Sequence, residues 1–180
     1  MSTHRIELRP TRPTDLTWVL AAEQYFENAP YVGQWSRAQH EGAIAATDEA
    51  HFVAEQNHEP VGYVILTGLE NPHLTINLQR IVVVKKGNGY GRQILQWVKA
   101  FAFDTLGYHR LWLDVISSNQ RAQSLYKREG FVVEGILRDS WKTASGYEDM
   151  LIMSMLAPEY RAAPQMTGQA TDQATTAVGK

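Results

Sequence analysis

A chain of 180 residues, 44% hydrophobic and 20% charged, is long enough to bury the core of one globular domain. Its 17 basic and 19 acidic residues leave a net charge of −2 with no block of one sign, which argues against a nucleic-acid partner or a polybasic membrane patch. Cysteine is absent, which excludes disulfides, thiolate metal sites and a cysteine nucleophile together.

The N-terminal MSTHRIELRP has no apolar segment of the kind a signal peptide needs, and no later stretch is long enough to span a bilayer. A cytoplasmic protein with no membrane partner is expected. Alternation at Ile6 and Leu8 predicts a short strand. Thr14 is placed to cap a helix over 15–27, with Leu16, Val19, Leu20, Glu23 and Phe26 along one stripe and Asn-Ala-Pro at 28–30 to stop it. Ser36-Arg37-Ala38-Gln39 has the form of a capping box and opens a second helix through Ile44. HFVAEQ (51–56) and PVGYVILTGL (60–69) read as strands across the turn NHEP, and LTINLQRIVVV (74–84) as the next. A helix follows from about Gly89 to Thr105. HRLWLDVIS (109–117) is a further strand, and the helix after it is capped by Asn119 and ended by Gly130 at its C′ position. FVVEGILRDSW (131–141) and EDMLIMSML (148–156) form an antiparallel pair. This order predicts an α/β (α+β) fold, a mixed sheet with helices on its faces, in one domain over 1–161. From Ala162 the chain is polar, and 162–180 reads as a disordered tail.

The stretch RIVVVKKGNGYGRQILQWVKAF (80–101) runs from an apolar β-branched segment through a glycine loop into an amphipathic helix. It lacks the Lys-Ser/Thr pair of a P-loop, and its Gly87, Gly89 and Gly91 miss the G-x-G-x-x-G spacing of a dinucleotide site. Successive backbone N–H groups at a helix N-terminus nonetheless suit a pyrophosphate, and Lys85, Lys86 and Arg92 add countercharge. A plain strand-to-helix turn accounts for the glycines equally well.

Two motifs carry a resemblance. KGNGYG (86–91) fits the [Q/R]-x-x-G-x-[G/A] loop of the GCN5-related N-acetyltransferases, with Lys86 where that family usually has Gln or Arg. NQRAQSLYKREGF (119–131) is similar to the family's N-x-x-A-x-x-L-Y-x-x-x-G-F segment. The C-terminal EGILRDSW…GYEDMLIMSML resembles the branch that includes ribosomal-protein N-terminal and polyamine acetyltransferases. The likeness covers roughly residues 4 to 157 and implies a largely antiparallel central sheet with a V-shaped splay at the cofactor strand.

It also implies acetyl-CoA as co-substrate and no metal. The pyrophosphate would lie on Lys86, Gly87, Asn88, Gly89, Tyr90, Gly91 and Arg92, and the pantetheine arm on the backbone of Ile81, Val82 and Val83, with Asn119 nearby. A backbone N–H there could polarise the thioester carbonyl. Tyr126 would be the general acid for the departing thiolate. By helical pattern alone it is one more aromatic on the stripe of Ala122 and Leu125, as Asn119 is a plain N-cap. Relatives often carry a glutamate before the glycine loop. This chain has Asn77 and Gln79 there, and neither amide accepts a proton at useful pH. The base is unassigned, with Glu27, Asp114 and Glu134 as carboxylates elsewhere.

The six histidines show no metal-ligand spacing and are expected on the surface or in turns, with His40 able to face the acceptor. Tyr31, Trp35 and Glu27, with Trp141 opposite, would wall the acceptor site, where aromatics and carboxylates such as Glu23 and Glu41 suit an amine. The acceptor would be a small amine or a protein N-terminus, and a homodimer is common among such relatives. The alternative is an acyl-CoA-binding module without turnover.

Overall fold

The computed structural model describes residues 5–163. Among them are seven strands: β1 (Glu7–Pro10), β2 (Glu49–Gln56), β3 (Glu59–Thr67), β4 (Thr75–Val83), β5 (Arg110–Ile116), β6 (Val132–Thr143) and β7 (Gly146–Leu156). They form one sheet in the order β1-β2-β3-β4-β5-β7-β6. Only β4 and β5 pair in parallel. The others are antiparallel, so the sheet is mixed and largely antiparallel as expected. The β2–β3 hairpin turns on Asn57 and His58, both at positive φ, a conformation that matches the twist of a two-residue hairpin.

Both faces of the central strands are covered, which explains why VGYVIL reads as a continuous apolar run rather than an alternating one. Helices α1 (Leu16–Gln24) and α2 (Arg37–Ala45) cover one face, where Leu16, Val19, Val53, Tyr63, Ile65 and Val82 pack together. On the other face lie α3 (Tyr90–Ala100), α4 (Gln120–Arg128) and α5 (Ala157–Ala162), over a core that includes Phe52, Val64, Leu66, Ile94, Leu95 and Leu111. Each such aliphatic side chain contributes roughly 1.5–3 kcal/mol by leaving water.

Several boundaries differ from expectation. Thr14 does not cap the first helix. It lies inside a 3-10 turn, Pro13–Asp15, tightened by the Asp15 carboxylate, which accepts from Arg12 N at 2.7 Å and is held by Arg9. The helix ends at Gln24 rather than near 27, because Asn28 Nδ2 donates to Ala22 O at 2.9 Å and Gln34 Nε2 to Glu23 O at 3.1 Å. Side chains thus satisfy the terminal carbonyls that another turn would have used. Phe26, predicted on the buried stripe, is 74% exposed. The helix after the glycine loop changes to a π turn over Phe101–Thr105. Ala162 closes α5, and the predicted tail from 164 onward lies outside the described residues. No helix among those described is long and apolar enough to cross a membrane.

Two features of β4 create the site. Its pairing with β5 stops after Thr75, Ile76 and Asn77, so from Leu78 onward the sheet splays open. It also carries a bulge opposite β3, where Ile65 pairs with Arg80 and Leu66 with Leu78, leaving Gln79 as the extra residue. The bulge reverses the alternation of side chains. Ile76 and Leu78 face the α3 side, as do Ile81 and Val83, whereas Val82 and Arg80 turn to the α1–α2 side.

Candidate active site

The splay opens into a cleft of about 1470 Å³, above the roughly 300–1,000 Å³ of a pocket for one drug-sized ligand and so roomy enough for a long one. At one end lies the glycine loop. Gly87 and Gly89 have φ of 94° and 77°, values that favour glycine. A Cβ at either would meet nothing within 4 Å, so the space above the turn is open. Gly89 is the N-cap of α3 and supplies no side-chain cap, which leaves the first-turn N–H groups directed at that space. Gly91 instead packs closely, its Cβ position 3.4 Å from Leu125.

The cations beside the loop are partly engaged. Lys86 Nζ donates to Glu27 O at 2.6 Å, and burial holds its pKa below the ordinary lysine value. Arg92 Nε donates to Glu129 Oε1 at 2.7 Å, and Glu129 also pairs with Lys99.

Most predicted site residues line the cleft: Ile81, Val83, Lys86, Gly87, Gly89, Tyr90, Gly91, Arg92, Asn119 and Tyr126, and with them Glu27, Tyr31, Trp35 and Trp141. Two do not. Val82 turns its side chain into the core beneath α1, and Asn88 bends back to donate to Lys85 O at 2.7 Å. Asn119 caps α4 by accepting from Ala122 N at 3.2 Å. Tyr126 is 6% exposed, and burial, with the charge of Asp114, pushes its hydroxyl far above the ordinary value. It therefore stays protonated at neutral pH.

Among the carboxylates considered as base, Glu134 is held by Arg110 and Ser154 away from the cleft. Asn77 also lies outside the lining, its Nδ2 donating to Trp112 O at 3.3 Å across the last β4–β5 pair. Asp114 and Glu27 line the cleft, and burial raises the pKa of Asp114. Among the described residues no three His, Asp or Glu side chains converge on a metal position.

Sequence reading missed a buried polar chain behind the Trp35 wall of the cleft. His40 and His51, expected at the surface or in turns, are 0% and 5% exposed. Thr11 Oγ1 lies 2.8 Å from His51 Nδ1, His51 Nε2 3.1 Å from His40 Nδ1, and His40 Nε2 3.1 Å from Glu23 Oε1. An ionised Glu23 only accepts, so any proton shared with His40 Nε2 sits on the histidine. Burial opposes this by pushing Glu23 up, but His40, Tyr63 (2.6 Å), Trp35 N (3.0 Å) and Arg80 outweigh it, and its pKa ends below the ordinary carboxylate value. Burial drives His51 down to about 3, which keeps it neutral. Arg80 carries this network to the cleft wall, where its guanidinium carbon stands 4.4 Å over the Trp35 ring. No sequence signal marked Arg80, because its direction depends on the bulge at Gln79.

The family model for acetyltransferases (GNAT) matches residues 15–131. The spermidine N(1)-acetyltransferase of Escherichia coli K12 is 26% identical over 179 residues, covering 93% of this chain and 95% of that one. The [ribosomal protein bS18]-alanine N-acetyltransferase of Salmonella typhimurium is 39% identical over 67 residues, 37% of this chain and 45% of that one. Among solved structures, the spermidine N-acetyltransferase of Vibrio cholerae in complex with CoA and spermine superposes with a TM-score of 0.79 at 23% identity, over 87% of this chain and 98% of that one.

Proposed function

The chain belongs to the acetyltransferase (GNAT) family and is an acetyl-CoA-dependent N-acetyltransferase acting on an amine, and on that footing we propose how its cleft divides the work. Bound acetyl-CoA supplies a thioester acetyl group. The N–H groups of the 87–92 turn and the N-terminus of α3 hold the pyrophosphate, with Lys86 and Arg92 as countercharge. The β4 backbone from Ile81 to Val83 lies beyond the last pairing with β5, with Val83 O accepting from Asn28 Nδ2 at 3.3 Å. Its remaining groups take the pantetheine amides as an added strand would, and an N–H there polarises the thioester carbonyl. Asn119 borders the sulfur end.

The acceptor enters from the side of Tyr31, Trp35, Glu27 and Trp141. Its nitrogen must be neutral to attack, and an alkyl ammonium has an ordinary pKa near ~10.4. Asp114 takes that proton, directly or through water. Its raised pKa suits it better than a freely solvated carboxylate. As the carbon–nitrogen bond forms, the nitrogen gives its second proton to water. As the carbon–sulfur bond breaks, the Tyr126 hydroxyl gives its proton to the sulfur. Exchange with solvent then restores Asp114 and Tyr126, with one proton released overall. The acceptor is a small primary amine. The names of the relatives put a polyamine first and a protein N-terminus second. Self-association through edge strand β6 fits its exposed Val132, Val133, Ile136 and Leu137.

The observation that carries this reading is the uncapped start of α3 under open space, in one cleft with the buried, protonated Tyr126. The test compares thermal shifts with acetyl-CoA, ATP and NAD, followed by amine-dependent thiol release. Stabilisation by acetyl-CoA alone, about 2.7 kcal/mol at a hundredfold excess over Kd, with thiol release on adding an amine, is the expected result. Binding without thiol release for any amine would instead make the protein an acyl-CoA-binding module.

A further inference from the structure

Resting on the acetyltransferase reading, we propose that Arg80 selects an acceptor whose primary amine is carried on a skeleton with a carboxylate, an amino-acid-type amine rather than a bare polyamine. The Arg80 side chain is 9% exposed and lines the acceptor end of the cleft. NH1 is committed to Glu23 Oε1, and the Cζ stands over Trp35. That fixes the plane of the guanidinium from two sides, with the Tyr63 hydroxyl beside it on the same carboxylate, while no donor–acceptor pair of hydrogen-bond geometry is formed at NH2 among the described residues. NH2 points toward Gly33, where a Cβ would come within 3.2 Å of it and 3.4 Å of Trp141. The missing side chain at Gly33 leaves that nitrogen open to the cleft between Trp35 and Trp141.

A nearly buried guanidinium with a free donor is a poor neighbour for a second cation and a strong one for a carboxylate. Glu23 does not cancel this preference. Its oxygens are already occupied by Tyr63, Trp35 N and Arg80 and lie close to His40, and it is 1% exposed, so no acceptor ammonium can reach it. The chain through His40 and His51 to Thr11 holds the carboxylate and, through it, the arginine. Glu23 and the histidines are therefore positioning residues, and Arg80 is the group that meets the acceptor.

The experiment uses matched amines that differ by one carboxylate: ornithine against putrescine, lysine against cadaverine, tyrosine against tyramine. Each is assayed by amine-dependent thiol release with the wild-type protein, Arg80→Lys and Gly33→Ala. Arg80→Lys keeps the charge beside Glu23 and loses the fork. Gly33→Ala leaves Arg80 and Glu23 intact and covers NH2 with a methyl group. The acetyl-CoA thermal shift shows that each variant folds and binds the co-substrate.

We expect the carboxylated member of at least one pair to have the lower KM in the wild type. Both variants should raise that KM by roughly 10- to 100-fold, the worth of one charge-assisted hydrogen bond, and should shrink the ratio of KM values between the two members of the pair by the same factor. Equal or better use of the bare amines, an unchanged preference in both variants, or no acetylation of any pair by protein that binds acetyl-CoA would each overturn the proposal. Failure to bind acetyl-CoA at all would sink the acetyltransferase reading itself, and the inference with it.

Discussion

Lys86 Nζ donates to the backbone oxygen of Glu27 at 2.6 Å, so the glycine loop, proposed to hold the cofactor, is tied to the segment between α1 and α2, proposed to wall the acceptor. One ammonium thus touches both halves of the cleft. Lys86→Met is expected to raise the KM for acetyl-CoA several-fold through lost countercharge, and to raise the acceptor KM as well because the wall at Glu27 loses its tether. Steady-state kinetics with each substrate varied in turn checks this. A change confined to acetyl-CoA would mean that the tether is passive.

In the proposed mechanism Tyr126 and Asp114 divide the proton transfers, and the direction of their pKa shifts gives the sign of the pH dependence. Burial raises Tyr126 far above its ordinary value, so no loss of its proton limits the rate near neutrality. Asp114 is raised from the usual carboxylate range. It must be ionised to accept a proton, so kcat should climb with pH through that raised value. Asp114→Asn should remove the acidic limb. Tyr126→Phe should lower kcat by roughly 10²- to 10⁴-fold at every pH with little change in Tm. A kcat profile of Asp114→Asn that keeps the wild-type acidic limb would move the base elsewhere, with Glu27 the next residue to test.

The signals that were legible in the sequence are local ones. Ser36 and Gln39 form the reciprocal capping box that their spacing announced. Asn119 and Gly130 bound their helix as their residue types predict, and the glycine loop starts α3. What the sequence concealed depends on pairing between distant segments. Arg80 turns to the acceptor side only because Gln79 is extruded opposite Ile65 and Leu66. His40 and His51 meet only because α2 lies over β2, beside a carboxylate on a third element. Phe26 was assigned to a buried stripe because the side chains of Asn28 and Gln34, which stop α1 at Gln24, leave no periodic trace.

Gly62 lets Ile94 of α3 approach the sheet closely. A Cβ there would stand 2.7 Å from both Ile94 Cδ1 and Val82 O. Ile94 can change rotamer, but the backbone oxygen can move only if β4 does. Gly62→Ala should therefore destabilise the protein by about 1–3 kcal/mol and weaken acetyl-CoA binding, since β4 and α3 both border the cofactor end. Chemical unfolding with and without acetyl-CoA measures both effects. Wild-type stability in this variant would mean that the strand yields without strain.

His51 gives the fold a dependence on acid that its carboxylates alone do not explain. Its pKa falls from an ordinary 6.5 to about 3 because burial disfavours the cation. A depressed value means that the unfolded chain takes up the proton first. The stability contributed by neutral His51 is thus complete above about pH 6.5 and is lost on acidification until the folded form also titrates near 3. One proton taken up only on unfolding makes stability fall by about 1.4 kcal/mol per pH unit. Glu23 and Glu129, both lowered in the folded state, add to the loss only below the ordinary carboxylate range. Urea unfolding between pH 7.5 and 4.5 should therefore show a decline that begins well before the carboxylates protonate. His51→Gln should be less stable at pH 7.5, because the chain from Thr11 to Glu23 is cut, and its curve should be flatter by up to one proton's slope across the same window. A variant as steep as the wild type would assign the acid sensitivity to another group and leave His51 a purely structural link.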